Sequence, residues 1–239
     1  MRRLVTAPRS VALGATLLAG LLAGCEPTPP EHPFLPWDVE VNDRGQVAVF
    51  GVTLGESTLL DFKRRYDQKA DLAIFAQRGE PLSMEAFFGR MNVGPLTARV
   101  VLVAEVDPET LERWAGESRI ADPTPSGARK LSMSDEALVE AQDKPIRSIS
   151  YAPSADYEEE LISRRFGEPT DKRPIPRGEG DEGDEGEPPA MLWLYPEKGL
   201  AITVEPDDKE LFQYINPEHF DELVEHTLGG NPEGDPQDH

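Results

Sequence analysis

The chain has 239 residues and a formal net charge of −21, with 45 acidic and 24 basic side chains. A surface this acidic is repelled by nucleic acid and by other polyanions, so it excludes most nucleic-acid-binding functions and favours cations or basic protein surfaces as partners. Because there is only one cysteine, no disulfide forms within the chain.

Residues 1–24 have the pattern of a secretory signal peptide. Arg2, Arg3 and Arg9 precede an apolar run from Val11 to Leu22, and small residues follow it. The run is about 12 residues long, whereas a membrane-spanning helix needs roughly 20. The segment therefore predicts export and no permanent transmembrane span.

The signal ends in Leu22-Ala23-Gly24-Cys25, and Cys25 is the sole cysteine. A catalytic thiol needs an activating neighbour, which the proline-rich stretch after it does not supply. LAGC resembles the lipobox of bacterial lipoproteins, which implies cleavage between Gly24 and Cys25 and attachment of lipid, including palmitate, to Cys25. Glu26 in place of aspartate favours the outer membrane over the inner membrane. We expect a periplasm-facing protein anchored in the bacterial cell envelope.

Composition divides the remainder of the chain. Residues 25–37 hold five prolines and predict an extended tether. Residues 38–143 and 144–228 predict two lobes, the second interrupted by an acidic loop at 177–189 that we expect to be disordered. Residues 229–239 are polar, rich in glycine and proline, and predict a disordered tail.

The first lobe begins with a predicted strand over Gln46 to Leu54 and a helix capped by Ser57. A strand over Asp71 to Ala76 and a hairpin of Met84 to Met91 with Thr97 to Val106 follow. Asp107 with Pro108, and then Ser134, predict the starts of two further helices.

The second lobe repeats the order of strand, helix and hairpin. The predicted elements are a strand over Pro145 to Tyr151, a helix capped by Ser154, a hairpin of Met191 to Tyr195 with Leu200 to Glu205, a strand over Glu210 to Ile215 and a final helix after Asn216-Pro217. The first helices of the two lobes end in Arg64-Arg65-Tyr66 and Arg164-Arg165-Phe166. The pattern predicts an α+β fold, an antiparallel sheet with flanking helices built as a degenerate tandem.

The second lobe also resembles a known family. It resembles the small module of SmpA/OmlA (BamE-like) outer-membrane assembly lipoproteins in three places. The helix end of that module corresponds to Phe166-Gly167-Glu168-Pro169, its W-x-Y strand to Trp193-Leu194-Tyr195 and its hairpin to Gly199-Leu200. The resemblance covers roughly Ile146 to Ile215, and the first lobe offers only the entry turn Leu54-Gly55-Glu56-Ser57. It implies a partner-binding module of this fold and carries over no catalytic residue.

The loop RGEGDEGDEGEPP contains the G-x-G-x-x-G spacing of a dinucleotide site at Gly178, Gly180 and Gly183. A Rossmann glycine run follows a strand and opens a helix, but this one lies between Pro174-Ile175-Pro176 and Pro188-Pro189. Its five carboxylates repel a pyrophosphate, and their spacing is not that of an EF-hand calcium loop. We predict no nucleotide, no cofactor and no metal at this loop.

Two other sets of residues invite a functional interpretation. His219, Glu222 and His226 share one stripe of the last predicted helix, but the histidines lie about 10.5 Å apart along the axis, too far for one metal ion with bonds of about 2.1 Å. Trp193 and Tyr195 alternate on a strand, which is more typical of a core than of a recognition surface.

The usual motifs of serine hydrolases, β-lactamases and P-loop enzymes are absent, and no cysteine serves as a nucleophile. The sequence therefore predicts a lipid-anchored, non-catalytic binding or accessory module, with envelope assembly or maintenance as its context and a protein of the envelope as its partner. Two alternatives stay open: an inhibitor-like module that binds one periplasmic enzyme, and an enzyme with an unrecognised carboxylate site.

Overall fold

The computed structural model describes residues 34–124, 127–176, 188–206 and 209–229. The fold is mixed α+β with antiparallel sheets, which confirms the predicted fold class. The signal peptide, Gly24, Cys25, most of the predicted acidic loop and nearly all of the predicted tail lie outside the described residues.

The first half of the body contains eight strands and three helices within the described residues. They are β1 (Glu40–Val41), β2 (Val47–Val49), β3 (Val52–Thr53), α1 (Leu59–Tyr66), β4 (Asp71–Ala76), β5 (Ser83–Val93), β6 (Leu96–Ala104), α2 (Pro108–Glu117), β7 (Arg119–Pro123), β8 (Arg129–Ser132) and α3 (Asp135–Ala141).

The second half contains five strands and two α-helices within the described residues. They are β9 (Ile146–Pro153), α4 (Glu159–Phe166), β10 (Asp171–Pro174), β11 (Met191–Tyr195), β12 (Leu200–Val204), β13 (Glu210–Ile215) and α5 (Phe220–Leu228). Short 3-10 turns occupy Pro196–Lys198 and Pro217–His219.

One ten-stranded sheet joins both halves, in the order β10-β11-β12-β13-β9-β6-β5-β4-β8-β7. Strand β9 pairs with β13 on one side and with β6 on the other, so that Ile149 lies between Tyr214 and Leu102. The meander β4-β5-β6 and the meander β10-β11-β12-β13 both run inward toward β9. The predicted division between residues 143 and 144 thus lies just before the strand that the two halves share.

The two faces of this sheet are covered differently. Phe88, Val100, Tyr151 and Phe212 form one cross-strand row, and the rings of Phe62 in α1 and Phe166 in α4 pack on it at centroid distances of 4.9 and 5.4 Å. Helices α1 and α4 therefore share one face. On the reverse face α5 covers a second apolar cluster, formed by Leu192, Leu194, Ala201, Ile215, Phe220 and Val224. This division follows from the alternation of side chains along each strand.

The structure confirms several of the predicted elements: the hairpins over 83–104 and 191–204, the helix caps Asp107 and Ser134, and the strand at 210–215. The single strand over Gln46 to Leu54 is wrong, because the chain reverses at Phe50-Gly51 to form β2 and β3. The predicted caps Ser57 and Ser154 are also wrong, since the N-caps are Thr58 and Glu158.

The hairpin β2–β3 belongs to a separate three-stranded sheet with β1, and it contacts the second half of the body. The buried Asn216 side chain accepts a hydrogen bond from the Val47 amide at 2.9 Å and donates to the Leu54 carbonyl at 3.4 Å. The Gly55 amide donates to the Ile146 carbonyl at 2.8 Å. This small sheet therefore links the start of the first lobe to both ends of the second.

Trp193 and Tyr195 lie in the core, with 1% and 4% of their surface exposed. We predict that Trp193→Ala lowers the free energy of unfolding by about 3–5 kcal/mol, the range for deletion of a large buried aromatic side chain. Urea unfolding measures this, and Trp193→Phe is the control that keeps most of the buried surface. A loss below about 1 kcal/mol would contradict the core assignment.

Candidate functional site

The first described residues, Phe34 to Trp37, form what we call the arm, which is the end of the predicted tether. The Asp38 amide donates to the Leu35 carbonyl and the Asp38 carboxylate accepts from the Leu35 amide, both at 3.0 Å. Pro36 is buried, and its carbonyl accepts a hydrogen bond from the hydroxyl of the fully buried Tyr214 at 2.9 Å. The arm is a closed turn held against the body.

Two arginines from equivalent helix ends stack on the two aromatic rings of the arm. The Arg65 guanidinium carbon in α1 lies 4.7 Å from the ring centroid of Phe34, and that of Arg165 in α4 lies 4.4 Å from the centroid of Trp37. Each contact contributes about 0.5–1 kcal/mol at an exposed site. The repeated Arg-Arg-aromatic helix ends thus have a shared structural role.

The arm rests on the tip of the hairpin β2–β3. Phe50 and Gly51 have φ angles of 52° and 70°, as a two-residue type I′ turn requires. The Phe50 ring lies with its centroid 5.3 Å from those of both Tyr151 and Tyr214. A Cβ atom on Gly51 would lie 2.7 Å from the Phe34 ring and 2.8 Å from the Arg65 guanidinium. Glycine is required at position 51 because its φ angle is positive and because a Cβ atom would overlap the neighbouring side chains.

Buried phenols anchor this region as neutral hydrogen-bond donors. Tyr66 donates to the Phe50 carbonyl at 3.0 Å and Tyr195 to the Gly167 carbonyl at 3.1 Å. Burial raises the pKa of Tyr66 to about 12 and raises the pKa values of Tyr151, Tyr157, Tyr195 and Tyr214 as well. The hydroxyls of Tyr66, Tyr195 and Tyr214 thus stay protonated at neutral pH and act as hydrogen-bond donors to backbone carbonyls.

Four arginines at the ends of α1 and α4 define what we call the arginine patch. Arg64, Arg65, Arg164 and Arg165 are exposed, and none of them forms an ion pair with another described residue. Some other basic side chains of the described chain form ion pairs, as in Arg113 with Glu140 at 2.6 Å and Arg147 with Glu222 at 2.7 Å. Hydrogen bonds from Thr58, and then the charges of Arg64 and Arg65, lower the pKa of Asp61. The patch is therefore a local concentration of positive charge that this carboxylate compensates in part.

His219, Glu222 and His226, which the sequence places on one side of the last helix, do not point toward a common position. His226 lies 3.4 Å from Glu80, and Glu222 forms its ion pair with Arg147. His219 contacts Glu222 at 3.8 Å. Among the described residues no group of three or more potential ligands could hold a metal ion.

A cavity of about 290 Å³ lies beside β4, β8 and α3. Its lining includes the Lys130 ammonium, which forms an ion pair with Asp71 at 2.6 Å, and the apolar side chains of Leu72, Met133 and Leu138. The Lys130 ammonium in this lining is thus already engaged.

Sequence reasoning assigned the arm to a tether and did not identify it as a site. The signal was present in the two aromatic residues, Phe34 and Trp37, which are unusual in a solvated proline-rich linker, and in the duplicated arginine pairs. Nothing local in the sequence pairs these features, because Phe34 and Arg65 lie 31 positions apart along the chain and Trp37 and Arg165 lie 128 positions apart.

Comparison with protein-family models, with curated proteins and with solved structures found no match to this chain. Within the described residues, no helix has the length and apolar character needed to cross a membrane.

We predict that Gly51→Ala releases the arm. The substitution forces a left-handed backbone on alanine, at a cost of about 1 kcal/mol, and also displaces Phe34 and Arg65. Gly45→Ala is the matched control, because Gly45 has a φ of 75° but nothing within 4 Å of an added Cβ.

Acrylamide quenching of tryptophan fluorescence checks this, because Trp114 and Trp193 are buried and Trp37 is partly exposed. Quenching and the loss of unfolding free energy should both be greater for Gly51→Ala than for Gly45→Ala. Equal effects of the two substitutions would show that the arm does not depend on Gly51.

Alkaline pH is predicted to unfold the protein cooperatively. All five tyrosines have raised pKa values in the folded chain, whereas an unfolded tyrosine titrates near pH 10. Stability is therefore complete below about pH 10 and falls as the pH rises through the folded values. Tyrosinate absorbance and circular dichroism, recorded together, should change in one transition. Tyrosinate formation near pH 10 with native circular dichroism would contradict the burial of these hydroxyls.

Proposed function

We propose that this protein is a lipid-anchored component of the bacterial envelope that acts as a non-catalytic binding or accessory module. The observation that carries this proposal is the single cysteine at the end of a signal-like segment, in the sequence LAGC.

The chemistry of the described body supports a binding role over a catalytic one. Two of its buried polar side chains accept hydrogen bonds from backbone amides. Glu210 accepts from the Tyr157 amide at 3.0 Å, and Asn216 accepts from the Val47 amide of the hairpin β2–β3 at 2.9 Å. These contacts give both side chains a structural role.

A module of the SmpA/OmlA (BamE-like) kind is the form that we propose for the second half. The helix α4 ending at Gly167, the strand β11 with Trp193 and Tyr195, and the hairpin with β12 are the features on which that resemblance depends. The proposed partner is then another protein of the envelope. The proposed localisation is the periplasm, with the lipid anchor in the outer membrane.

The anchor is tested by Cys25→Ser in cells that are supplied with radiolabelled palmitate. We predict that label is incorporated into the wild-type chain and is absent from the variant, which should also keep its signal segment. Ser10→Cys combined with Cys25→Ser is the control for a cysteine elsewhere in the signal. Equal labelling of wild type and Cys25→Ser would overturn the proposal.

A further inference from the structure

We propose that the face of the body that bears the arm and the arginine patch docks on the phospholipid headgroups of the membrane that holds the anchor. This inference rests on the proposed lipid anchor at Cys25. It adds a second membrane contact, made by the folded body, and it fixes which face of the body points away from the membrane.

The length of the linking chain is the first argument. Phe34 lies nine positions after Cys25, and an extended chain covers at most about 3.6 Å per position, so Phe34 stays within roughly 32 Å of the anchored residue. The arm is seated on the face of the sheet that carries α1 and α4, whereas α5 covers the reverse face. A short linker thus enters on one defined face.

Charge is the second argument. The arginine patch lies where the arm leaves the body, and its four guanidiniums are exposed without carboxylate partners among the described residues. Guanidinium groups bind phosphate oxygens through pairs of parallel hydrogen bonds. Asp61 and Glu160 in the first turns of α1 and α4, and Asp67 and Glu168 after the two helices, reduce the positive charge of this end. The four guanidiniums lie at the exposed ends of the two helices, beside the arm.

The charge on the rest of the chain strengthens the orientation. A net charge of −21 means that the remaining surface is repelled by an anionic membrane while the patch is attracted to it. Attraction at one end and repulsion elsewhere turn the body toward a single orientation. The ring of Phe34, with 38% of its surface exposed, adds an apolar group of the kind that interfacial segments bury at the headgroup boundary.

The affinity required for this contact is small. A short linker holds the body near the bilayer at an effective concentration in the millimolar range, so a contact too weak to recruit a free protein is still occupied. This explains how a strongly acidic protein keeps a membrane-facing surface with only a few cations.

The test uses the full acylated chain in vesicles of equal parts phosphatidylethanolamine and phosphatidylglycerol that contain a headgroup-labelled acceptor lipid. Because the thiol of Cys25 is blocked by lipid, an introduced cysteine is the one free thiol for a fluorescent donor. Gln68→Cys places the donor just after α1, and Glu225→Cys places it on α5; both positions are exposed. Energy transfer should be greater from position 68 than from position 225.

Charge reversal then separates the lipid contact from the arm. The double variant Arg64→Glu with Arg164→Glu leaves Arg65 and Arg165 stacked on the arm. It should lower the ratio of docked to undocked molecules by more than about tenfold, because two cations are removed from the headgroup surface. Arg78→Glu with Arg129→Glu changes the net charge equally at exposed positions outside the patch and should leave the transfer unchanged.

Equal transfer from the two donor positions, or an equal effect of the two double variants, would overturn the proposed orientation. Mass spectrometry of the N-terminal peptide distinguishes this result from failure of the anchor. A peptide without acyl chains would overturn the proposed function and the orientation together, whereas equal transfer on an acylated chain overturns the orientation alone. Melting temperatures of both double variants check that the body remains folded.

Discussion

The ring of Phe50 occupies the position on which most of this structure depends. It lies against Tyr151 of β9 and Tyr214 of β13, at the centre of the large sheet. The positive φ of Phe50 costs about 1 kcal/mol, and two aromatic contacts of about 0.5–1.5 kcal/mol each, together with the burial of the ring, offset that cost. The same turn positions Gly51 beneath the arm and the Phe50 carbonyl beside Tyr66. The hairpin, the arm and the end of α1 therefore share one anchor.

Strand β9 imposes the second constraint, because it completes the sheet of both halves at once. Each meander ends on β9, so neither half presents a free edge at the centre. At the outer end, β10 carries Lys172, Arg173 and Pro174, all exposed. Charged residues and proline on an edge strand oppose further strand pairing. The two meanders thus form one continuous sheet rather than two separate sheets.

The arginine patch, in a protein that is acidic overall, relates the fold to the proposed location at a membrane. Helix ends favour cations, because the backbone carbonyls of the last turn carry partial negative charge. Helices α1 and α4 each end in two arginines, and both pairs lie beside the arm because Arg65 and Arg165 stack on Phe34 and Trp37. A local group of cations thereby arises in an acidic protein.

Local sequence patterns were enough to predict the fold class, the long hairpins, the helix caps at Asp107 and Ser134 and the burial of Trp193, because alternation, cap residues and turn residues act within a few positions of one another. The anchor predicted at Cys25 likewise depends on a local motif. Three features could not be predicted in this way: the hairpin within Gln46 to Leu54, the stacking of Arg65 and Arg165 on Phe34 and Trp37, and the position of β9 between the two meanders. These features depend on contacts between distant residues: the left-handed turn at Phe50 is stable only because Tyr151 and Tyr214, about 100 and 160 positions further along the chain, bury its ring.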